Sequence, residues 1–311
     1  MGRDLFAAGD RFFLSLVEAG SEYVDADLRR VCLKGPDTTL RLARFVQPLL
    51  ASVCLGYFAR LREAGVKPDF VLGHSLGEIT SLGAAGVVPL EDAVRIAAKR
   101  GALMDEAAEQ CRGGMMAVMM VSREDVQRAL EQFGAGDDIV LANDNAAHQV
   151  VVSGEIAAMD GFAEYIREKH QGKCRHLPIA GPWHSHCLDQ AREKFREWVR
   201  PRRFSAPATA LVMNATARCE DNPAVIKDRC TAQLTSPVYW RQSMATLAEE
   251  GVDTLIEIGP GRVLAGLARV NGFKRGNRVL TVGNLKGVET VSRLCAVQAP
   301  LSSAQLEGGG K

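Results

Sequence analysis

The chain has 311 residues, 47% hydrophobic and 24% charged, ordinary values for a soluble globular protein that exclude a disordered, collagen-like or coiled-coil chain. Lys and Arg number 38 against 37 Asp and Glu, so the formal charge is +1 and bulk charge gives no reason to expect nucleic acid or an anionic membrane as partner. No apolar run approaches the roughly 20 residues that span a bilayer, and Met1-Gly2-Arg3-Asp4 lacks the pattern of a signal peptide. The eight cysteines are scattered, none as Cys-x-x-Cys. That reads as reduced thiols in a cytoplasmic protein, with neither a disulfide frame nor a zinc site.

Apolar spacing predicts a helix over 4–18 and another over about 37–64, with Pro48 kinking it or marking its start. Asp69-Phe70-Val71-Leu72 reads as a strand, followed by Gly73-His74-Ser75-Leu76-Gly77-Glu78, a helix over 79–86 and a helix opening at Leu90. Strands at 115–121, 139–142, 150–153 and 175–180 and helices at 123–133 and 156–169 then follow in the order strand-helix-strand-strand-helix-strand. That is the ferredoxin-like pattern, here as a compact insertion over 111–180. Strands at 208–214 and 254–258, each followed by turn residues and a helix, imply a mostly parallel sheet. The expected fold class is α/β: an α/β-hydrolase-like parallel-sheet part over 1–110 and 181–300, the ferredoxin-like unit within it, and a disordered tail over 301–311.

Gly73-His74-Ser75-Leu76-Gly77 fits the Gly-x-Ser-x-Gly nucleophile elbow, with the required strand before and helix after. Side chains at 73 and 77 are expected to clash with neighbouring elements. Leu76 N–H, at the helix N-terminus, can stabilise an oxyanion. A nucleophilic Ser needs a base. The His74 ring is expected to point away from the hydroxyl, and His148, His170 and His176 lie in the insertion and read as solvated or capping. His184 and His186 sit where the insertion returns to the main body, and either can reach the elbow. Their distance from the C-terminus argues against an ordinary esterase, and no Asp stands out as a third member, which leaves a backbone carbonyl to orient the base. Arg100 has Ile96, Ala97, Leu103 and Met104 as helical neighbours, so it faces the core and needs an anion. Two readings stay open: a pair with a carboxylate such as Glu78 or a snorkelling side chain, or a bidentate clamp on a substrate carboxylate.

These pieces resemble the malonyl-CoA:acyl carrier protein transacylase family, including polyketide synthase acyltransferase domains. The resemblance runs from the first residues to about Leu267. It rests on an ordered series: Gln47-Pro48-Leu49, the elbow with Glu78, Lys99-Arg100-Gly101, Asn145 with Gln149-Val150-Val151, Pro182-Trp183-His184-Ser185, Gln233-Leu234 with Pro237-Val238-Tyr239-Trp240, and Glu257-Ile258-Gly259-Pro260-Gly261. It implies that Ser75, activated by His184, attacks malonyl-CoA to form a malonyl-serine ester, which a carrier protein's phosphopantetheine thiol then takes up. Arg100 holds the malonyl carboxylate, and the Gln233 segment orients His184 through a main-chain carbonyl. Leu76 gives an oxyanion N–H, and Gln47, Asn145, Trp183 and His74 join the substrate-binding residues. His186 is left a surface or supporting role. No cofactor or metal is implied, and a monomer is expected.

Two departures from the family stand out. Its opening strand and Gly-Gln-Gly loop, source of the second oxyanion donor, align before Met1. The expectation is a shortened start, at a cost on the order of 10²- to 10³-fold in rate, with an open sheet edge. Trp183 stands where malonyl-selective members commonly carry Phe. With Leu76 it leans toward malonyl over branched groups, unless it only packs the core. A basic surface for an acidic carrier is expected at Arg192, Lys194, Arg196, Arg200, Arg202 and Arg203, or at Lys274, Arg275 and Arg278. The competing readings are an editing hydrolase of acyl carrier proteins, against which Arg100 argues, and a non-catalytic carrier-binding module.

Overall fold

The computed structural model describes residues 1–179, 181–274 and 276–296. Ala180, Arg275 and the expected tail at 301–311 lie outside the described residues. The single helix expected at 4–18 is two, α1 (Arg3–Ala7) and α2 (Arg11–Ser21). Gly9 turns the chain at φ +62°, and the Asp10 carboxylate then caps α2 by accepting the Phe13 N–H at 3.0 Å. An unexpected helix, α3 (Leu28–Lys34), is capped in the same way by Asp27.

The helix expected at 37–64 breaks near Arg41, not at Pro48, into α4 (Asp37–Leu40) and α5 (Ala43–Glu63). The cause lies elsewhere in the chain. Asp105, on α7 (Leu90–Gln110), accepts the N–H groups of Ala43 and Arg44 at 2.9 Å each and so caps α5 from outside. Gly101 permits the approach, because a Cβ there would lie 2.3 Å from the Ala43 carbonyl oxygen.

The elbow strand β1 (Phe70–Val71) runs parallel to β6 (Ala210–Leu211), and β7 (Thr254–Ile258) runs parallel to β8 (Arg278–Val282). The one parallel sheet expected is, among the described residues, two separate two-stranded ladders. β6 is shorter than the strand expected at 208–214 because the backbone and side chain of Asn214 turn to serve the elbow. Helices α5, α6 (Leu76–Ala84), α7 and α10 (Asp189–Val199) enclose a core that includes Leu55, Ile79, Val94, Ile96, Phe195 and Leu211.

The inserted unit runs β2 (Gly113–Met119), α8 (Arg123–Phe133), β3 (Ile139–Ala146), β4 (Gln149–Glu155), α9 (Ile156–His170) and β5 (Lys173–His176). Its antiparallel sheet has the order β3-β4-β2-β5, the ferredoxin-like arrangement. β5 ends earlier than the strand expected at 175–180, since Pro178 has no N–H for the ladder. Alternation sorts β2 by face: Met116 and Val118 pack under α8 and α9, while Met115 and Ala117 face Trp183. The insertion thus buries one face in its own helices and turns the other toward the segment that carries His184. Three helices complete the fold, α11 (Pro223–Ala232), α12 (Trp240–Glu249) and α13 (Val263–Val270), with α14 (Leu285–Ala296) packed against β8. No helix among the described residues is long and apolar enough to cross a membrane.

Candidate active site

Ser75 joins β1 to α6 at φ +51°, a region a non-glycine residue rarely enters. The surrounding contacts hold it there. Ser75 N–H donates to Asn214 Oδ1 at 2.8 Å, Asn214 Nδ2 donates to the Gly73 carbonyl at 2.8 Å, and Asn214 N–H donates to the Glu78 carboxylate. A Cβ on Gly73 would lie 2.2 Å from the Gly77 carbonyl carbon, so only glycine fits. A Cβ on Gly77 would meet nothing within 4 Å, which corrects the expectation that both motif glycines are needed for space. Leu76 N–H opens α6 and donates to no acceptor among the described residues, which leaves it free for a developing oxyanion.

Ser75 Oγ lies 2.8 Å from His184 Nε2. The other ring nitrogen, Nδ1, lies 2.8 Å from the Gln233 carbonyl and 3.0 Å from that of Ser236. A carbonyl only accepts, so Nδ1 carries the proton and Nε2 is the free base facing the hydroxyl. His184 itself stands at φ +63° in a turn closed by Ser185 Oγ, which donates to the Pro182 carbonyl at 2.6 Å. Burial, and then the Arg100 charge, push its imidazole down to about 3, so the ring is neutral at physiological pH and able to take a proton.

Arg100 is 1% exposed, yet no carboxylate bonds to it. Its Nε donates to Gln233 Oε1 at 2.9 Å, Nη1 to Gln47 Oε1 at 2.7 Å and Nη2 to Ser75 Oγ at 3.1 Å. The pair with Glu78 does not form, nor does the side chain snorkel. Gln233 stands between the two charges and passes its Nε2–H to Glu78 Oε1 at 2.8 Å. Burial lowers Arg100 to about 10 and raises Glu78, so the guanidinium keeps its charge at neutral pH in a site of neutral amides. Such a cation is costly until an anion reaches it.

His74 and Asn145 form a neighbouring contact, with His74 Nε2 2.8 Å from Asn145 Oδ1. Asn145 O also accepts Asn271 Nδ2 at 2.8 Å. The adjacent Asp144 is fully buried and binds Gln242 Nε2 at 2.7 Å and Arg241 Nη2 at 3.2 Å, while its own N–H donates to the Val238 carbonyl. The end of β3 is thereby fastened to the segment 233–242, the segment whose carbonyls hold His184.

A serine on an elbow, a neutral histidine held by carbonyls and a buried arginine bonded to no carboxylate together suit acyl transfer from an acid-bearing donor. Comparison with known proteins agrees. The family described as "Acyl transferase domain" matches residues 1–297.

The chain belongs to this acyl transferase family. It is 32% identical over 295 residues to the "Malonyl CoA-acyl carrier protein transacylase" of Bacillus subtilis, covering 94% of this chain and 90% of that one. A crystal structure titled as the malonyl CoA-acyl carrier protein transacylase of Clostridium perfringens superposes with a TM-score of 0.86 at 30% identity, covering 96% of this chain and 93% of the other. A second, titled "PlMCAT:AntF (holo): type II PKS acyl-carrier protein in complex with its malonyl-transacylase", gives 0.87 at 27% identity over 94% of each chain.

In this acyl transferase the sequence-expected Ser75, Leu76, Arg100, Gln47, Gln233 and His184 converge on one point. His74 and Asn145 bond to each other beside it. Trp183 is half-buried and packs against both the main core and the apolar face of the insertion. His186 is exposed. Sequence reasoning missed Ser236, Asn214 and Asp144. A Gly-x-Ser-x-Gly motif implies something that holds its strained turn, but nothing local to the motif identifies Asn214 as that residue.

Proposed function

We propose that this acyl transferase moves a malonyl group from malonyl-CoA to the phosphopantetheine thiol of an acyl carrier protein, through an ester on Ser75. The buried Arg100 guanidinium carries the reading. It touches the Ser75 hydroxyl, and its other acceptors among the described residues are two amide oxygens. A malonyl ester on Ser75 carries its free carboxylate within reach of that guanidinium, and a bidentate pair there compensates the charge. An acetyl or longer neutral acyl group leaves it uncompensated.

His184 Nε2 takes the Ser75 proton as Oγ attacks the thioester carbonyl, and the imidazolium then protonates the departing CoA sulfur. The carbonyls of Gln233 and Ser236 do the work of a triad carboxylate, holding Nδ1–H with dipoles and without a full charge. Leu76 N–H receives the oxyanion, and Gln47 and Gln233 position Arg100. The carrier thiol repeats the steps in reverse. In the first basic run Arg192, Lys194 and Arg196 are paired with Asp189, Glu193 and Glu106, while Arg200, Arg202 and Arg203 make no ion pair with a described residue. Lys274 and Arg278 make none either, so each run keeps unpaired cations that suit an acidic carrier. Eight free thiols support the cytoplasmic placement.

Intact-protein mass after brief incubation with malonyl-CoA tests the reading. The wild-type chain gains one malonyl group. Ser75→Ala gains none and transfers more slowly by a factor on the order of 10⁶. Acylation that survives in Ser75→Ala, or a folded wild type that is never acylated, overturns it.

A further inference from the structure

The chain passes between the main body and the inserted unit through two connectors. α7 leads out through Cys111 and Arg112, and β5 leads back to a short 3₁₀ turn at His186–Leu188. A cysteine stands on each connector. Cys111 is the cap residue that ends α7, and Cys187 lies within the return turn. Cys187 is close enough to Cys111 that it adds to burial in raising the Cys111 thiol above its ordinary range. Both line one open cavity of about 470 Å³, together with Arg112, His186 and Lys194. No step of acyl transfer uses either of them.

We propose that Cys111 and Cys187 are a reversible disulfide site that ties the two connectors together and slows acyl transfer. The bond encloses the whole insertion, residues 112–186, and pins it at its base. One of its ends is the C-terminus of the helix that carries Arg100, and the other is three residues beyond His184. The insertion also supplies Asn145 to the elbow. Two bulky thioesters must approach Ser75 in turn, and a clamped hinge restricts the movement that admits them. This rate effect rests on the transfer reading above; the cross-link itself does not.

The oxidant is a small-molecule disulfide of the glutathione type. Cys187 is half-exposed, with His186 Nε2 4.0 Å from its Sγ. The thiolate of Cys187, its proton given up to the imidazole, attacks one sulfur of the disulfide. That S–S bond breaks, and one thiol leaves with a proton. Burial and the neighbouring Cys187 both hold the Cys111 thiol above its ordinary range, so it keeps its proton until Cys187 has been capped. Cys111 then loses its proton, attacks the Cys187 sulfur and expels the second thiol. Two protein thiols lose two electrons in all, and one small disulfide becomes two thiols.

The test is a peptide mass map of the whole chain after incubation with glutathione disulfide, with malonyl transfer followed alongside. The expected result is a linked Cys111–Cys187 peptide pair, two hydrogens lighter than the separate peptides. Malonyl transfer falls with the same time course and returns with dithiothreitol. Cys111→Ser and Cys187→Ser keep the basal rate and lose the response. Exposed Cys219 serves as the reference thiol. The proposal is overturned if Cys219 is modified while Cys111 and Cys187 stay free or carry glutathione separately, or if the linked chain transfers at the full rate. The map reads the link whatever the acyl substrate, so an error in the malonyl reading shows in the reduced protein alone.

Discussion

Two buried charges sit five residues apart on α7, and the protein treats them oppositely. Asp105 is 3% exposed and fully answered: it accepts the N–H groups of Ala43 and Arg44 and the Arg44 Nε at 2.8 Å. Arg100 is 1% exposed and meets only amide oxygens and a hydroxyl. A charge that serves the fold is given its countercharge from within the chain. A charge that serves a ligand is left open, and folding bears the cost. The elbow follows the same division. Glu78, buried beside the site, is satisfied by Asn214 and Gln233, while Leu76 N–H is left without an acceptor.

The largest effect tests that contrast directly. Arg100→Met replaces an uncompensated cation with an apolar chain of similar length. Malonyl transfer is expected to fall by about 10²- to 10⁴-fold, the loss of a buried charged pair worth about 3–5 kcal/mol, while acetyl transfer does not fall. Thermal stability is expected to change little, because the burial cost of the cation is removed while Gln47 Oε1 and Gln233 Oε1 lose their donor and Glu78 its nearby positive charge. A variant that loses stability and both transfers alike makes Arg100 a structural residue and breaks the comparison.

Asp105→Ala is the mirror case. It strands two backbone N–H groups at the start of α5 and leaves Arg44 paired with Glu109 alone, and is expected to cost about 3 kcal/mol. Denaturant melts read the loss, and the acylation rate per folded molecule stays close to wild type. The combination with Gly101→Ala, whose Cβ would press on the Ala43 carbonyl, is expected to be non-additive, because both act at one helix junction.

The pH dependence of His184 gives a smaller effect. Its folded-state pKa lies near 3, below the 6.5 of a free imidazole. The unfolded chain therefore binds the extra proton first. This contribution to stability is complete above pH 6.5 and is lost progressively as the pH falls from there toward 3. Melting temperature should decline over that window, and His184→Gln should flatten part of the decline. For the same reason kcat/KM for acylation should show no inflection near 6.5; a clear half-loss there would mean that the base is ordinarily solvated.

The smallest effect concerns the elbow glycines. Gly77→Ala is expected to change stability by less than about 1 kcal/mol, because the new Cβ has open space at a helical position. Gly73→Ala, by contrast, forces backbone against backbone. Equal losses in the two would show that the motif is symmetrical after all.

Much of the fold was legible because it rests on local chemistry. The insertion could be read from alternating apolar positions and a helix start at Ser122 that caps itself. The elbow could be read because a glycine, a serine and a helix start occupy one short segment. The break between α4 and α5 could not, since Asp105 makes it from more than sixty positions away. Nor could the division of the main sheet into two ladders, which depends on which strands meet.

The candidate site divides in the same way. Residue types and order singled out Ser75 and a core-facing Arg100 and left His184 and His186 as alternatives for the base, between which the family resemblance chose. Only the tertiary structure decided what surrounds them. Gln47 and Gln233, 53 and 133 residues from Arg100 in sequence, take the places that a carboxylate would otherwise fill. Whether a buried charge is compensated depends on side chains within a few ångströms of it, and helical periodicity can show that a residue faces inward but not what it will meet there.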